Sequence, residues 1–129
     1  MEKNHVNHSN NGNNIWYGKH ILLDMHDITL FLSANSSASY LDTLYFAAKK
    51  AGATILHRHI HSFDDGGLSA MVILAESHIS MHLWLKEKFA AVDVYMCGDC
   101  DPSVAIDYIL DVFEPKSYHM REFKRGEIR

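Results

Sequence analysis

The residues of this chain that could do chemistry lie close together in the stretch Ala75–Cys97, AESHISMHLWLKEKFAAVDVYMC. Ser77 directly follows a glutamate, His82 comes five residues later, and Cys97 comes fifteen residues after that histidine. A hydroxyl, an imidazole and a thiol can serve as nucleophile, base and acid when a fold brings them within hydrogen-bond reach. The strands that carry these residues therefore decide whether the stretch is a site or simply part of a sheet.

The size and composition of the chain set limits on its function. It has 129 residues, of which 47% are apolar and 22% charged, the balance of one soluble domain. The net charge of −4, without a lysine or arginine cluster, predicts no nucleic-acid partner. No apolar run has the length of a membrane span, and the N-terminus lacks the apolar core of a signal peptide. We therefore predict no membrane partner and a cytoplasmic, reducing location, which two cysteines also fit.

Hydrophobic periodicity predicts six strands and two helices. The predicted strands are Tyr17–Met25, Thr54–Phe63, Leu68–Ala75, Ile79–Leu85, Phe89–Cys97 and Ser117–Phe123. One helix follows the N-cap candidates Ser36–Ser39 and ends before Gly52, and the other follows Asp101-Pro102 and ends before Pro115. The order β-α-β-β-β-β-α-β has too many strands for a doubly wound parallel sheet. It predicts an α+β fold, a two-layer α/β sandwich with a mainly antiparallel sheet and two helices on one face.

The same patterns predict the domain boundaries. Residues 1–15 are rich in Asn and His and have little to bury, which is typical of a disordered tail. Residues 16–124 form a single domain in this interpretation, and residues 125–129 form a loose, basic C-terminus.

Two other groups of residues have the types expected of a metal site and of a redox site. His57, His59 and His61 share one strand face, but residues two apart on a strand lie about 6–7 Å apart, which is wide for three ligands of one ion. We therefore predict exposed histidines and no metal. Cys97 and Cys100 form a C-x-x-C pattern, but the helix signal comes after both thiols, unlike the redox arrangement at a helix N-terminus. A single acid of low pKa at Cys97, with Cys100 uninvolved, is the better interpretation.

A Ser-His pair by itself is weak evidence for catalysis, and the chain has no G-x-S-x-G pattern of a hydrolase. Stronger evidence comes from Gly18-Lys19-His20, IHSF (Ile60–Phe63), GGLSAMVILAESHISMH (Gly66–His82) and AAVDVYMCGDCDP (Ala90–Pro102). These segments resemble the prokaryotic S-adenosylmethionine decarboxylases, and the likeness runs from about Tyr17 to Phe113. E-S-H-x-x-x-H followed at this distance by D-x-[YF]-x-C-G is a specific signature of that family, whose members are pyruvoyl-dependent.

This resemblance implies that the chain makes its own cofactor. Ser77 would attack the carbonyl of Glu76 and convert the amide into an ester. Elimination and hydrolysis would then cut the chain between 76 and 77 and leave a pyruvoyl group at Ser77, which is a covalent self-modification. The pyruvoyl ketone would form a Schiff base with a small-molecule substrate and withdraw electrons as carbon dioxide leaves.

The resemblance also assigns roles to the remaining residues. Ser69 and His82 match positions that assist self-cleavage, and Cys97 matches the acid that protonates the carbanion. Phe63 and Trp84 match aromatic positions that stack on a cationic ligand, although ordinary core packing explains Trp84 equally well. Related enzymes pair their protomers, so we expect a homodimer or a dimer of dimers.

One departure from the family pattern concerns the substrate. Where the family has H-x-[WF]-P-E, this chain has His82-Leu83-Trp84-Leu85-Lys86, so a lysine replaces the glutamate expected to hold ribose hydroxyls. Glu87 is one residue away, but a one-residue shift on a strand reverses the face. The resemblance implies a decarboxylase of S-adenosylmethionine that serves spermidine and polyamine synthesis. L-ornithine or L-arginine decarboxylation is the alternative, and an uncut homologue without catalysis is a third hypothesis.

Overall fold

Residues 16–31 and 36–127 are described by the computed structural model. The six strands and two helices follow the predicted order. They are β1 (Trp16–His26), α1 (Ser36–Lys50), β2 (Ile55–Ser62), β3 (Leu68–Leu74), β4 (Ser77–Trp84), β5 (Phe89–Cys97), α2 (Pro102–Phe113) and β6 (Ser117–Glu127).

The strands form one sheet in the order β2-β3-β4-β5-β1-β6, and every neighbouring pair is antiparallel. Strands β2 to β5 are sequential neighbours, which short turns allow in an antiparallel sheet. Strand β1 lies between β5 and β6, so it connects the last strand to the rest of the sheet.

Both helices lie on one face of the sheet, and the core fills the space between. Every second residue of β4 is buried on this face, beginning with Ile79, because side chains alternate along a strand. The buried residues Tyr40 of α1 and Phe113 of α2 stack with ring centroids 5.9 Å apart and planes at 12°, which joins the two helices. Within residues 16–31 and 36–127 no helix lies on the opposite face of the sheet, and we call it the uncovered face. This architecture confirms the predicted two-layer α+β sandwich.

Helix α2 has both of its predicted ends. The Asp101 carboxylate accepts a hydrogen bond from the Ser103 N–H at 3.0 Å, and Pro102 occupies the first helical turn. Glu114 ends the helix in the left-handed conformation, and its N–H bonds to the Leu110 carbonyl. The cap at Asp101 fixes the start of α2 and with it the loop that follows Cys97, so it helps to position the end of β5.

The ends of the chain differ in part from the prediction. Strand β6 continues to Glu127, beyond the predicted Ser117–Phe123, because Trp16 and Gly18 of β1 extend the pairing to Glu127 and Arg125. Residues 125–127 therefore belong to the sheet instead of a loose end. The predicted tail of residues 1–15 lies outside the described residues. No helix in the described part of the chain is long and apolar enough to cross a membrane.

Candidate active site

The turn Ala75–Ser77 connects β3 to β4, and we call it the scissile turn after the bond that the resemblance predicts to be cut. The pair Leu74 and Ser77 closes the hairpin, so Ser77 is the first residue of β4. Its φ of 150° lies in a region that residues with a side chain rarely adopt. Such a conformation costs about 1–3 kcal/mol and persists only when its surroundings impose it. The chain is therefore strained at the residue whose hydroxyl the sequence singles out.

The carbonyl of Glu76 is held by two donors from Cys97. The Cys97 N–H donates to this oxygen at 3.2 Å and the thiol does so at 3.1 Å. The carbonyl is consequently polarised at the bond that precedes Ser77. Donors in this arrangement would also stabilise negative charge on that oxygen if the carbonyl carbon were attacked.

The side chain of Glu76 anchors the turn to a neighbouring loop. Glu76 is 1% exposed, and its Oε1 accepts a hydrogen bond from the Thr54 N–H at 2.9 Å. The Thr54 carbonyl in turn accepts from the Ala75 N–H at 2.9 Å. The segment between α1 and β2 therefore fixes the scissile turn. Sequence reasoning missed Thr54, because a backbone donor in a loop has no signature in the residue types.

Gly18 permits the close approach of β1 to the end of β5. It pairs with Cys97, and a Cβ at this position would come within 2.9 Å of both the Met96 carbonyl oxygen and the Tyr95 ring. Any larger residue would therefore push β1 away from Cys97, which explains the glycine in the Gly18-Lys19-His20 segment.

A second group of predicted residues lines a cleft of about 630 Å³ at the other end of the β3–β4 hairpin. Ser69 and His82 are cross-strand partners, and Ser69 Oγ lies 2.7 Å from His82 Nδ1. Phe63 and Trp84 also line the cleft and are 49% and 46% exposed. Core packing therefore does not account for Trp84, whose ring is open to a ligand.

One chain does not bring the two groups of predicted residues together. Ser77 and His82 are five residues apart on the same strand, and a strand rises about 3.3 Å per residue, so their backbones are about 17 Å apart. Glu76, Ser77 and Cys97 form one half of the candidate site at the scissile turn. Ser69 and His82, with the two cleft aromatics, form the other half.

Between these halves, the uncovered face carries a cluster of polar rings. His20 lies 6.3 Å from His78 and 5.5 Å from Tyr95, measured between ring centroids. Burial lowers the pKa of His78, the nearby His20 lowers it further, and Asp93 opposes these effects. The His20 Nε2 atom is buried without a hydrogen-bond partner, 3.5 Å from the Asp93 carboxylate. Burial and His20 therefore favour the neutral form of His78, the residue next to Ser77.

The position of Glu87 differs from the expectation for a strand. Strand β4 ends at Trp84, and residues 85–88 form a turn that the Lys88 N–H closes onto the Leu85 carbonyl at 3.2 Å. Lys86 and Glu87 both line the cleft. Alternation of faces holds only within a strand, so the one-residue shift from Lys86 does not lead to the exclusion of Glu87 from the cleft that was expected from sequence.

The structure also places the three alternating histidines and the C-x-x-C pair. His57 and His59 lie along the edge strand β2, and the described residues contain no cluster of three or more His, Cys, Asp or Glu that could hold a metal ion. His61 is opposite Ser69 in the sheet, and its ring lies 4.6 Å from that of Phe63. Cys97 and Cys100 both precede the N-cap of α2.

The fold and the scissile turn define a class of protein, an α+β sandwich in which a strained serine follows a polarised backbone carbonyl. Comparisons with known proteins then give the family. The family model described as S-adenosylmethionine decarboxylase matches residues 19–126. A relative named S-adenosylmethionine decarboxylase proenzyme 2, from Bacillus anthracis, is 36% identical over 118 residues, which cover 85% of this chain and 89% of the relative.

Two further proteins agree with this assignment. The S-adenosylmethionine decarboxylase proenzyme of Thermodesulfovibrio yellowstonii is 39% identical, covering 86% of this chain and 82% of its own. The crystal structure of the adenosylmethionine decarboxylase from Aquifex aeolicus is 33% identical and superimposes with a TM-score of 0.75, covering 87% of this chain and 92% of the other. The chain belongs to the S-adenosylmethionine decarboxylase family, whose members are pyruvoyl-dependent decarboxylases.

Proposed function

We propose that this protein cuts its own chain between Glu76 and Ser77 and then decarboxylates S-adenosylmethionine, supplying the aminopropyl donor for polyamine synthesis. The observation that carries the proposal is the Glu76 carbonyl, which accepts two hydrogen bonds from Cys97 beside a strained Ser77. The relatives reported above are named for adenosylmethionine, which supports this substrate over ornithine or arginine. A thiol that must stay reduced fits the cytoplasm.

The first step is an exchange of bonds at Glu76. The Ser77 oxygen bonds to the Glu76 carbonyl carbon, and the Cys97 N–H and thiol stabilise the negative charge that develops on the carbonyl oxygen. The carbon–nitrogen bond then breaks and the hydroxyl proton of Ser77 moves to its nitrogen, which leaves an ester and a free amine on Ser77. Relief of the strain at φ 150° favours this step, because the amide that imposes this backbone angle is replaced by the more freely rotating ester.

The second step breaks the bond between the Ser77 Cβ and its oxygen. A base removes the Ser77 α-proton, and the electron pair of the breaking bond leaves with the Glu76 carboxylate. The resulting enamine becomes an imine, and water replaces its nitrogen to give a ketone and ammonia. His82 is the proposed base: Ser69 Oγ holds Nδ1, which leaves Nε2 to take the proton.

The two halves of the site require a second copy of the chain. Since His82 lies about 17 Å from Ser77 along one strand, His82 of one protomer serves the Ser77 of its partner. A two-fold axis near the middle of β4 would bring the cleft of each protomer onto the scissile turn of the other. Met71 and Ile73, which are 41% and 42% exposed on the uncovered face, offer apolar area to such a contact.

The residues at this composite site fit a pyruvoyl group and its substrate. The pyruvoyl group would supply an electron sink for the loss of carbon dioxide. Cys97 lies next to the residue that bears this group and can deliver a proton to the product. The rings of Phe63 and Trp84 at the edge of the cleft can hold a flat, cationic ligand by stacking.

The proposed function predicts two fragments and one preferred substrate. Purified protein should show, by intact mass under denaturing conditions, a break after Glu76 and a second fragment that reacts with hydrazine reagents. Carbon dioxide release should be measured with S-adenosylmethionine, L-ornithine and L-arginine, and we expect turnover of the first. A single uncut chain would support the hypothesis of a homologue without catalysis. Release from ornithine or arginine alone would reassign the substrate.

Glu87 is the proposed replacement for the family glutamate that Lys86 displaces, because its position in the turn gives it access to the cleft. Glu87→Gln should raise the KM for adenosylmethionine about 10- to 100-fold, since losing a hydrogen bond to a charged acceptor costs about 1.5–3 kcal/mol. The extent of self-cleavage should not change. Asp107→Asn, an exposed carboxylate on α2, is the matched control. An unchanged KM in Glu87→Gln would remove Glu87 from the substrate site.

A further inference from the structure

Self-cleavage creates a charged group that the reaction steps above do not use. When the bond between Glu76 and Ser77 breaks, Glu76 becomes a C-terminal residue and its carbonyl becomes a carboxylate. That oxygen is the one that now accepts hydrogen bonds from the Cys97 N–H at 3.2 Å and from its thiol at 3.1 Å. The new carboxylate therefore forms in contact with Cys97, the proposed acid of the decarboxylation step.

The contacts that hold Glu76 lie within its own fragment. Glu76 Oε1 accepts from the Thr54 N–H, and the Ala75 N–H donates to the Thr54 carbonyl, each at 2.9 Å. Both partners precede the cut, and β3 is paired with β2 on the same fragment. None of these bonds depends on the peptide link that is broken. The end of the first fragment is therefore held against Cys97 after cleavage.

We propose that the terminal carboxylate of Glu76 remains bound to Cys97 in the cut enzyme and keeps its thiol protonated, so that cleavage itself prepares the acid. This inference rests on the proposed function, because it requires the cut after Glu76. A neutral carbonyl accepts the thiol hydrogen before the cut, and a negative carboxylate accepts it afterwards. A thiolate in the same place would face a negative charge at hydrogen-bond distance, which disfavours the loss of the proton.

The other titratable groups near Cys97 are the same before and after the cut, so they do not change the difference between the two states. On β1 its partner is Gly18, which carries no side chain, and on β5 the Tyr95 phenol reaches the backbone at Gly18. On β6, Arg125 pairs with Gly18 and its guanidinium lies 5.7 Å from the centroid of the Tyr95 ring, so its positive charge opposes the effect of a nearby carboxylate but is present in the cut chain and in the uncut one alike. On β4, His78 is the partner of Tyr95 and is favoured as neutral by burial. Asp99 and Asp101, in the loop that follows, carry the same charge sign as the new carboxylate.

The Glu76 side chain carries a further carboxyl group, whose Oε1 accepts a hydrogen bond from the Thr54 N–H. Cys97 itself is 3% exposed, and burial in apolar surroundings also disfavours a thiolate. The arrangement therefore opposes the low pKa expected from sequence for an acid at Cys97. It gives a donor that holds its proton until a stronger base, the carbanion of the reaction, is formed beside it.

The test compares the Cys97 thiol in cut and uncut chains. Protein labelled with ¹³C-cysteine is titrated, and the thiol midpoint is taken from the Cβ chemical shift, a readout independent of activity. The cut wild-type enzyme is compared with the uncut Ser77→Ala variant. We expect the Cys97 midpoint to be about 1–2 pH units higher in the cut enzyme, because the negative carboxylate of Glu76 in contact with the sulfur disfavours a negative thiolate. Cys100, assigned with Cys100→Ser, is the internal control and should move much less.

Each outcome of this titration is decisive. Equal midpoints, a lower midpoint in the cut enzyme, or equal movement of Cys97 and Cys100 would overturn the inference while leaving self-cleavage intact. Intact mass of the same wild-type sample distinguishes the two proposals: if that chain is whole, the proposed function fails, and this inference fails with it.

Discussion

Replacing Ser77 with alanine is expected to give a folded chain of full length that is never cut and releases no carbon dioxide. The physical reason is the absence of an oxygen that can bond to the Glu76 carbonyl carbon, so no ester forms and no ketone is made. The measurement is intact mass under denaturing conditions, followed by the carbon dioxide assay. Ser117→Ala, which removes an exposed hydroxyl at the start of β6, should be cut completely.

A glycine at the same position separates the chemistry from the strain. Ser77→Gly should also stay uncut, but it should be more stable than Ser77→Ala by about 1 kcal/mol. Relief of a backbone strain of about 1–3 kcal/mol outweighs the 0.5–1 kcal/mol that glycine loses in conformational entropy. Denaturant unfolding of the two uncut variants measures the difference. Cleavage of either variant at the same bond would show that the Ser77 hydroxyl is not the nucleophile.

Two variants that are each uncut alone should restore cleavage when they are expressed together. Ser77→Ala lacks the nucleophile but keeps the cleft, and His82→Ala keeps the scissile turn but lacks the base. If the site is shared between protomers, the His82→Ala chain is cut with the help of its Ser77→Ala partner. Random pairing of equal amounts makes mixed dimers half of the total, so about half of the His82→Ala chains should be cut.

The control for this experiment pairs two changes in the same half of the site. Ser69→Ala and His82→Ala both damage the cleft, so a mixed dimer of these two variants has no intact cleft. Co-expression should therefore restore cleavage of neither variant. Distinct tags allow mass spectrometry to assign each fragment to its parent chain. No cleavage in the first mixture would contradict a shared site. Cleavage of His82→Ala expressed alone would show that His82 is not needed as the base.

Much of the fold could be predicted from the sequence. Alternation identified the buried face of β4, and the Asp101-Pro102 pair identified the start of α2, because both signals act within a few residues. Phe89–Cys97 was predicted with its observed bounds. The length of β6 was underestimated, since its exposed residues have no periodicity of their own and the pairing with β1 defines the strand.

The candidate site could be predicted only in part. Residue types and spacing singled out Ser77, His82 and Cys97 as a possible site, and the resemblance gave the expected roles of these residues and of Ser69. The Thr54 N–H could not be found, because its role depends on where a loop crosses the scissile turn. Glu87 was misjudged because the alternation of a strand was applied beyond Leu85, where both the predicted strand and the observed β4 have already ended.

By itself the sequence determined the order of the elements, the family and the bond expected to be cut. The tertiary structure decided how the site is divided. Ser77 and His82 are five residues apart in the chain, a spacing that gives about 8 Å along a helix but about 17 Å along a strand. Since a strand cannot fold back on itself, the paired sheet places Ser77 and His82 at different ends of β4, and the proposal that a second chain unites them rests on this separation.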